Sequence, residues 1–237
     1  MKIEIWSDIF CPFCYIGKRR FENALSNFKD KEKVEVVFRS FELNPDAPKF
    51  NDKSIHEAIS EKYGISLEEA KLNNENIVNQ AKALGLDYNF DSLVLTNSFD
   101  AHRMIHFAKE YGKMEEMTEA LFKAYFIDSK NISDIDSLGN IAESIGLNKE
   151  DAIKILQSDK YKNQVREDES LARRYGITSV PTFIFNDKFK VTGAQPEDIF
   201  LMALNKAIEE EKTLLDLRDK ENDNQGNNVC IDGKCSL

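Results

Sequence analysis

Between Cys14 and Cys230 the chain has no cysteine, so neither a disulfide framework nor scattered core thiols runs through its body. It also lacks any apolar run approaching the roughly 18–20 residues that a membrane-spanning helix requires. The opening Met1-Lys2-Ile3-Glu4-Ile5-Trp6 has neither the basic start nor the apolar stretch of a secretory leader, so a cytoplasmic location is expected. Positive charge is in short supply. Lys and Arg total 32 against 42 Asp and Glu, a net charge of −10, which argues against nucleic acid or an anionic membrane as partner. No internal repeat is present.

What is there is a chain of 237 residues, 41% hydrophobic, enough for a sizeable core in one large domain or two closely joined ones. Residues 2–7 alternate as a strand. From Tyr15 to Phe28 the apolar positions Ile16, Phe21, Leu25 and Phe28 recur at helical spacing, and Pro12 suits a first helical position. Residues 34–43 read as a second strand, parallel to the first, which completes a βαβ unit. Helices are then predicted over 54–63, 66–84, 97–112, 114–127, 134–146, 149–157 and 159–175. Ser66 with Glu69 and Ser133 with Asp136 have capping-box spacing, and Gly64, Gly85, Gly112, Gly146 and Gly176 stand where helices should stop. Pro181 to Phe185, a turn at Asn186-Asp187, and Lys188 to Thr192 predict an antiparallel strand pair, followed by a helix over 196–215.

The expected fold class is therefore α/β: a thioredoxin-type core, βαβ…ββα, with a large all-helical insertion. The expected organisation is a first half over 1–48, the helical domain over 49–175, a second half over 176–215, and a flexible polar tail over 216–237.

Cys11-Pro12-Phe13-Cys14 lies at the strand-to-helix junction. A cysteine attacks disulfides as its thiolate, and a helix N-terminus favours negative charge, so Cys11 is the expected nucleophile and Cys14 the resolving thiol. Phe13 offers the sulfur neither charge nor hydrogen bond. Two other readings stay open on the residues alone: half of a zinc site completed by Cys230 and Cys235, and inert packing.

Several stretches together resemble the FrnE-like branch of the DsbA family. They are Trp6 through Lys18, Arg39-Ser40-Phe41-Glu42-Leu43-Asn44-Pro45, Phe99-Asp100-Ala101-His102-Arg103, and Val180-Pro181 followed by Val191-Thr192-Gly193-Ala194-Gln195. The likeness spans about residues 1–210 and implies a dithiol–disulfide oxidoreductase or isomerase rather than a zinc module, with no metal and no cofactor beyond its redox-active disulfide. It implies a cis bond at Val180-Pro181, where the residues alone favour trans. Pro12, Phe13, Val180 and Pro181 become candidate substrate-binding residues, and Asp100, His102 and Arg103 candidate cleft residues. Expected partners are substrate proteins or low-molecular-weight thiols, with glutathione a candidate co-substrate and the chain a monomer or homodimer. The alternative function is a glutathione-dependent transferase or isomerase, of the kappa-class or 2-hydroxychromene-2-carboxylate isomerase type, which share the architecture.

Cys230 and Cys235 flank an Asp232-Gly233 turn signal. They are candidates for an auxiliary redox pair serving Cys11 and Cys14, against the plainer reading of an incidental tail disulfide. His102 and His106 share a helical face but lack a metal-protease pattern, and are expected to pack or hydrogen-bond. Trp6 and Phe10 are expected in the core and at the cleft rim.

Overall fold

Alternation in the first strand divides its side chains between two faces of a sheet, and the two faces receive different layers. The computed structural model describes residues 1–226, with side chains as far as Thr213. Strand β1 (Lys2–Ser7) leads into helix α1 (Pro12–Ser26), and β2 (Glu35–Ser40) returns parallel to β1 with Ile3 beside Val36 and Ile5 beside Phe38. After the helical block, β3 (Thr182–Phe185) pairs antiparallel with β1, and β4 (Phe189–Thr192) antiparallel with β3. The sheet order is β2-β1-β3-β4. The last helix, α9 (Glu197–Gly226), lies against α1.

On the α1/α9 face, Ile3, Ile5, Phe183 and Phe185 join Phe21 and Phe200 in the main core. The Phe21 ring lies 5.5 Å from Phe183 and 5.7 Å from Phe200. On the opposite face Trp6 packs with Ala172, Ile177 and Ile184. The helical block comprises α2 (Ile55–Tyr63), α3 (Leu67–Lys82), α4 (Phe99–Lys109), α5 (Met114–Phe126), α6 (Ile135–Ser144), α7 (Lys149–Leu156) and α8 (Lys162–Arg174). Its α8 covers the Trp6 face: Trp6 Nε1 donates to the Asp168 carbonyl at 3.0 Å.

Helix ends follow local chemistry. Ser54 and Ser66 cap α2 and α3 by accepting from the amides of Glu57 and Glu69, and Gly64 closes α2 with φ +65°, a conformation other residues adopt at a cost. The predicted cap at Ser133 is corrected to Asp134, whose carboxylate accepts from the Ser137 amide at 2.8 Å. Ser133 is buried instead, its hydroxyl donating to the Lys49 carbonyl at 2.7 Å. Strand β2 stops at Ser40, not Leu43, because Glu42 turns to Arg166 and the Leu43 amide to Asp8. The eighth helix begins at Lys162 because Tyr161 takes φ +65°.

The polar stretch from Asp216, expected to be a flexible linker, is helix as far as Gly226. The reason lies in propensity: residues 197–225 contain neither glycine nor proline and are rich in Leu, Glu, Lys and Asp, and all but Asp are strong helix formers.

Candidate active site

Strand β1 ends at Ser7, and a tight turn carries the chain into α1. Asp8 makes this turn: its carboxylate accepts the Phe10 amide at 3.2 Å, and its carbonyl accepts the Cys11 amide at 3.0 Å. Cys11 is the N-cap of α1, with extended backbone angles of −87° and 110° and Pro12 following in the first turn. A cysteine offers no capping oxygen, so its sulfur is left beside the positive end of the helix dipole. Cys14 lies one turn in. Both are free thiols, 5% and 2% exposed.

The Val180–Pro181 peptide is cis, and the Cys11 Sγ lies 3.6 Å from the Val180 carbonyl oxygen. Gly17 leaves room for this approach: a Cβ there would stand 3.0 Å from Pro181 Cγ and 3.4 Å from the Ala194 backbone, so the proline ring would have to give by a few tenths of an ångström. The Cys14 thiol is pushed well above its ordinary pKa by burial, and the adjacent Cys11 adds to this. The Ser7 hydroxyl and the Asp8 backbone oppose the shift without cancelling it. Cys14 is therefore held as a protonated thiol until something displaces that proton.

Cys11, Pro12 and Phe13 form one wall of a cavity of about 740 Å³ that opens between the sheet end and the helical block. Phe10, Tyr125 and Phe126 continue that wall, and Ile55, Ile59 and Ile77 from α2 and α3 face it. Phe13 is 39% exposed at the rim. The block is fastened to the active helix by Tyr88, whose hydroxyl donates to the Pro12 carbonyl at 2.8 Å, and by the stack of Tyr15 on Phe122 at 4.9 Å. Burial drives the Tyr88 hydroxyl far above its ordinary pKa, so it stays a donor.

Of the three cleft candidates, two lie elsewhere. Arg103 is 1% exposed, and its guanidinium donates to the carbonyls of Ile155, Leu156, Ser158 and Lys160, closing the C-terminal end of α7. Asp100 pairs with Arg103 at 2.7 Å and Lys49 at 2.9 Å. Both are joints of the helical block, where a fork of five donors can satisfy several orphan carbonyls at once.

His102 does come to the site, from beneath. Its Nε2 lies 3.5 Å from Asp8 Oδ1, an ion-pair distance too long for a well-formed hydrogen bond. Burial disfavours its charged form, but Asp8, Glu42 and Glu169 outweigh burial and raise the His102 pKa. Asp8, fully buried, and Glu42, 7% exposed, are the site residues that sequence reasoning missed as functional candidates. Asp8 could have been found from its place two residues before Phe10, where an aspartate makes a turn; nothing in the sequence marks Glu42 as buried.

His106 hydrogen-bonds with Ser40 at 3.2 Å and Asp168 at 3.1 Å. Among the described residues, no three His, Cys, Asp or Glu side chains are grouped to hold a metal ion, and no helix is long and apolar enough to cross a membrane. Cys230 and Cys235, and with them the zinc alternative, lie outside the described residues.

This arrangement has relatives. The family model of the DSBA-like thioredoxin domain matches residues 2–205. An uncharacterized protein of Bacillus subtilis, YwbO, is 35% identical over 86% of this chain and 95% of its own. A crystal structure of a probable DsbA oxidoreductase from Streptomyces coelicolor is 40% identical and superposes with a TM-score of 0.85 over 89% of this chain and 91% of that one. A cytosolic disulfide reductase, DsbM, from Pseudomonas aeruginosa shares the fold at 13% identity and a TM-score of 0.63, over 88% of this chain and all of that one. The match begins in β1, takes in the cysteine pair at the head of α1 and the cis-proline beside it, and ends inside α9. The chain thus belongs to the DsbA-like thioredoxin-domain family of thiol–disulfide oxidoreductases.

Proposed function

We propose that the protein exchanges disulfides with thiol partners by a two-cysteine mechanism, Cys11 attacking and Cys14 resolving. The observation that carries this reading is the placement of the Cys11 sulfur at the N-cap of α1, 3.6 Å from the carbonyl of Val180, which precedes the cis-proline. The Cys11 thiolate attacks a disulfide R–S–S–R, forms Cys11–S–S–R and releases one RS⁻. Cys14 then gives up its proton and attacks the Cys11 sulfur, releasing the second RS⁻ and leaving a Cys11–Cys14 disulfide. Two electrons pass from dithiol to substrate; run backwards, the same steps oxidise a dithiol. In this reading the backbone beside Pro181 aligns the substrate, Pro12 and Phe13 meet its other side, and the reaction needs no cofactor.

A raised Cys14 pKa suits the resolving role, because a protonated Cys14 does not compete for the incoming disulfide. Cys230 and Cys235 are assigned as an auxiliary pair that passes its disulfide to Cys11 and Cys14 or draws it from them. A reducing compartment is the setting, by analogy with the cytosolic reductase that shares the fold.

The test is the equilibrium of the first pair against a glutathione buffer, in a Cys230→Ser, Cys235→Ser background. A two-electron potential between about −150 and −270 mV is expected. Cys11→Ser should abolish exchange, and Cys14→Ser should accumulate a mixed disulfide on Cys11. Full turnover by Cys14→Ser would instead favour the glutathione-dependent transferase or isomerase. Unchanged turnover of the tail double variant with every substrate would remove the auxiliary pair.

A further inference from the structure

The cavity against Cys11 is unlike the rest of this protein. Charged residues make up 31% of the chain, and its net charge is −10, yet no aspartate, glutamate or arginine lines the cavity. Its polar residues are neutral, four asparagines with Thr96, Tyr63 and Tyr125, and its only charged one among the described residues is Lys62, near the end of α2. Among the described residues Lys62 makes no ion pair; its ammonium stands 5.5 Å from the centre of the Tyr63 ring. The neighbouring carboxylate of Glu61 is occupied by Lys53, with contacts of 2.7 and 2.8 Å. One solvent-exposed cation with no ion-pair partner among the described residues therefore borders an otherwise neutral, largely apolar space that is large enough for a small molecule and has the nucleophile's sulfur in its wall.

We infer that the cavity selects a low-molecular-weight disulfide or thiol whose sulfur is carried on an aromatic or branched apolar group bearing a single carboxylate. This rests on the exchange chemistry proposed above and names the substrate class of that site.

A volume of about 740 Å³ lies inside the range of roughly 300–1,000 Å³ usual for small-molecule sites. Ile55, Ile59, Ile77, Leu93 and Phe126 favour an apolar body, whose transfer from water is worth about 25 cal/mol per Å² of surface buried. Lys62 favours one negative charge and gives a second nothing to meet. Glutathione fits poorly: it brings two carboxylates and an ammonium, and no carboxylate lines the cavity to receive that ammonium. Desolvating such groups without partners costs affinity. A folded protein would have to reach a Cys11 only 5% exposed at the inner wall, past a rim formed by Phe13 and the start of α1.

The experiment is a single turnover of the pre-reduced full chain, followed by stopped flow, so that the protein's own dithiol supplies both electrons. The probes are 5,5′-dithiobis(2-nitrobenzoate), which carries one carboxylate on each aromatic ring, glutathione disulfide, and a scrambled-disulfide protein. Each rate is divided by that of a free monothiol with the same probe, which removes intrinsic reactivity.

The aromatic acid should lead glutathione disulfide by at least about tenfold after this correction, the scale of apolar-pocket discrimination. Lys62→Glu and Ile59→Glu should each lower that ratio about tenfold. Circular dichroism and the unfolding midpoint confirm that each variant folds, and Lys62→Met serves as a milder second change.

A corrected rate for glutathione disulfide or the scrambled protein equal to that of the aromatic acid would overturn the inference while leaving the Cys11/Cys14 mechanism standing. So would a ratio that neither lysine variant moves. Failure of all three probes to oxidise the reduced pair would instead remove the exchange reading itself.

Discussion

Two buried aspartates, Asp168 and Asp8, each face a histidine from α4, yet the two sites are built differently. Asp168 is satisfied on every side: Arg39 at 2.8 Å, His106 at 3.1 Å and the Ser40 amide at 3.0 Å. Arg39 also grips Glu4 on β1, so this cluster fastens α8 to the sheet. Asp8 accepts the amides of Phe10 and Leu43, at 3.2 and 2.6 Å, and faces His102 at 3.5 Å, with no arginine. Phe10 and Leu43 both line the cavity, so Asp8 ties two of its walls together. The two imidazoles differ as well: His106 is hydrogen-bonded, whereas neither ring nitrogen of His102 has a hydrogen-bond partner among the described residues. A fully paired cluster joins layers; an underpaired one lies beneath the cysteines, where charge must rearrange during exchange.

The sharpest way to break this comparison is Asp168→Ala, which removes the acceptor that Arg39, His106 and the Ser40 amide share. Its expected cost is about 3–5 kcal/mol in urea unfolding, the usual toll for removing one partner of a buried pair. Asp8→Asn keeps an acceptor oxygen for only one of the two amides, because Phe10 donates to Oδ1 and Leu43 to Oδ2, and should cost less, about 1–3 kcal/mol. It should also return the His102 titration, followed by NMR, towards or below the ordinary value of about 6.5. If both substitutions cost the same and His102 does not move, the distinction fails.

The pH dependence separates the pairs by sign. Burial works against ionised Asp168, but His106, the Ser40 amide and Arg39 lower its pKa below the unfolded value. Its stabilisation is therefore present above about pH 3.9 and lost as pH falls through the lower folded value. His102 is shifted up, so its stabilisation is full below about pH 6.5 and lost as pH rises through the higher folded value. Unfolding midpoints against pH should lose the alkaline limb in Asp8→Asn and the acid limb in Asp168→Asn. The smallest effect is expected from Glu42→Gln. Burial raises the Glu42 carboxyl despite His102 and Arg166, and Gln keeps an acceptor oxygen for Arg166, so the isostere should cost about 1 kcal/mol.

The contrast also explains what could be read in advance. Alternating Ile3 and Ile5, the proline after Cys11, and the turn at Asn186 and Asp187, both with positive φ, are local signals that give the elements of the α/β core directly. The cis bond at Pro181 was legible only through family resemblance, because a strand-start proline is ordinarily trans. Arg103 misled for a related reason: its neighbours matched a family motif, but its donors are consumed by carbonyls more than fifty residues away in sequence. The cavity wall from α2 and α3, and the burial of Asp8, Glu42 and Asp168, depend on tertiary packing; a carboxylate in a sequence does not announce its solvent.

The path of α9 carries a last consequence. At Glu211 and Lys212 it lies beside Met1 and Asp30, at 3.3 and 3.2 Å, at the end of the sheet away from Cys11. It then runs on to Gly226, a further ~20 Å at about 1.5 Å per residue. From Gly226 to Cys230 a fully stretched chain covers at most about 14 Å, far short of the way back along both α9 and β1. With α9 intact, the electrical circuit between the two sulfur pairs cannot close within one molecule. If the tail pair serves Cys11 and Cys14 as proposed, that traffic should run between molecules, follow second-order kinetics and slow in proportion to dilution.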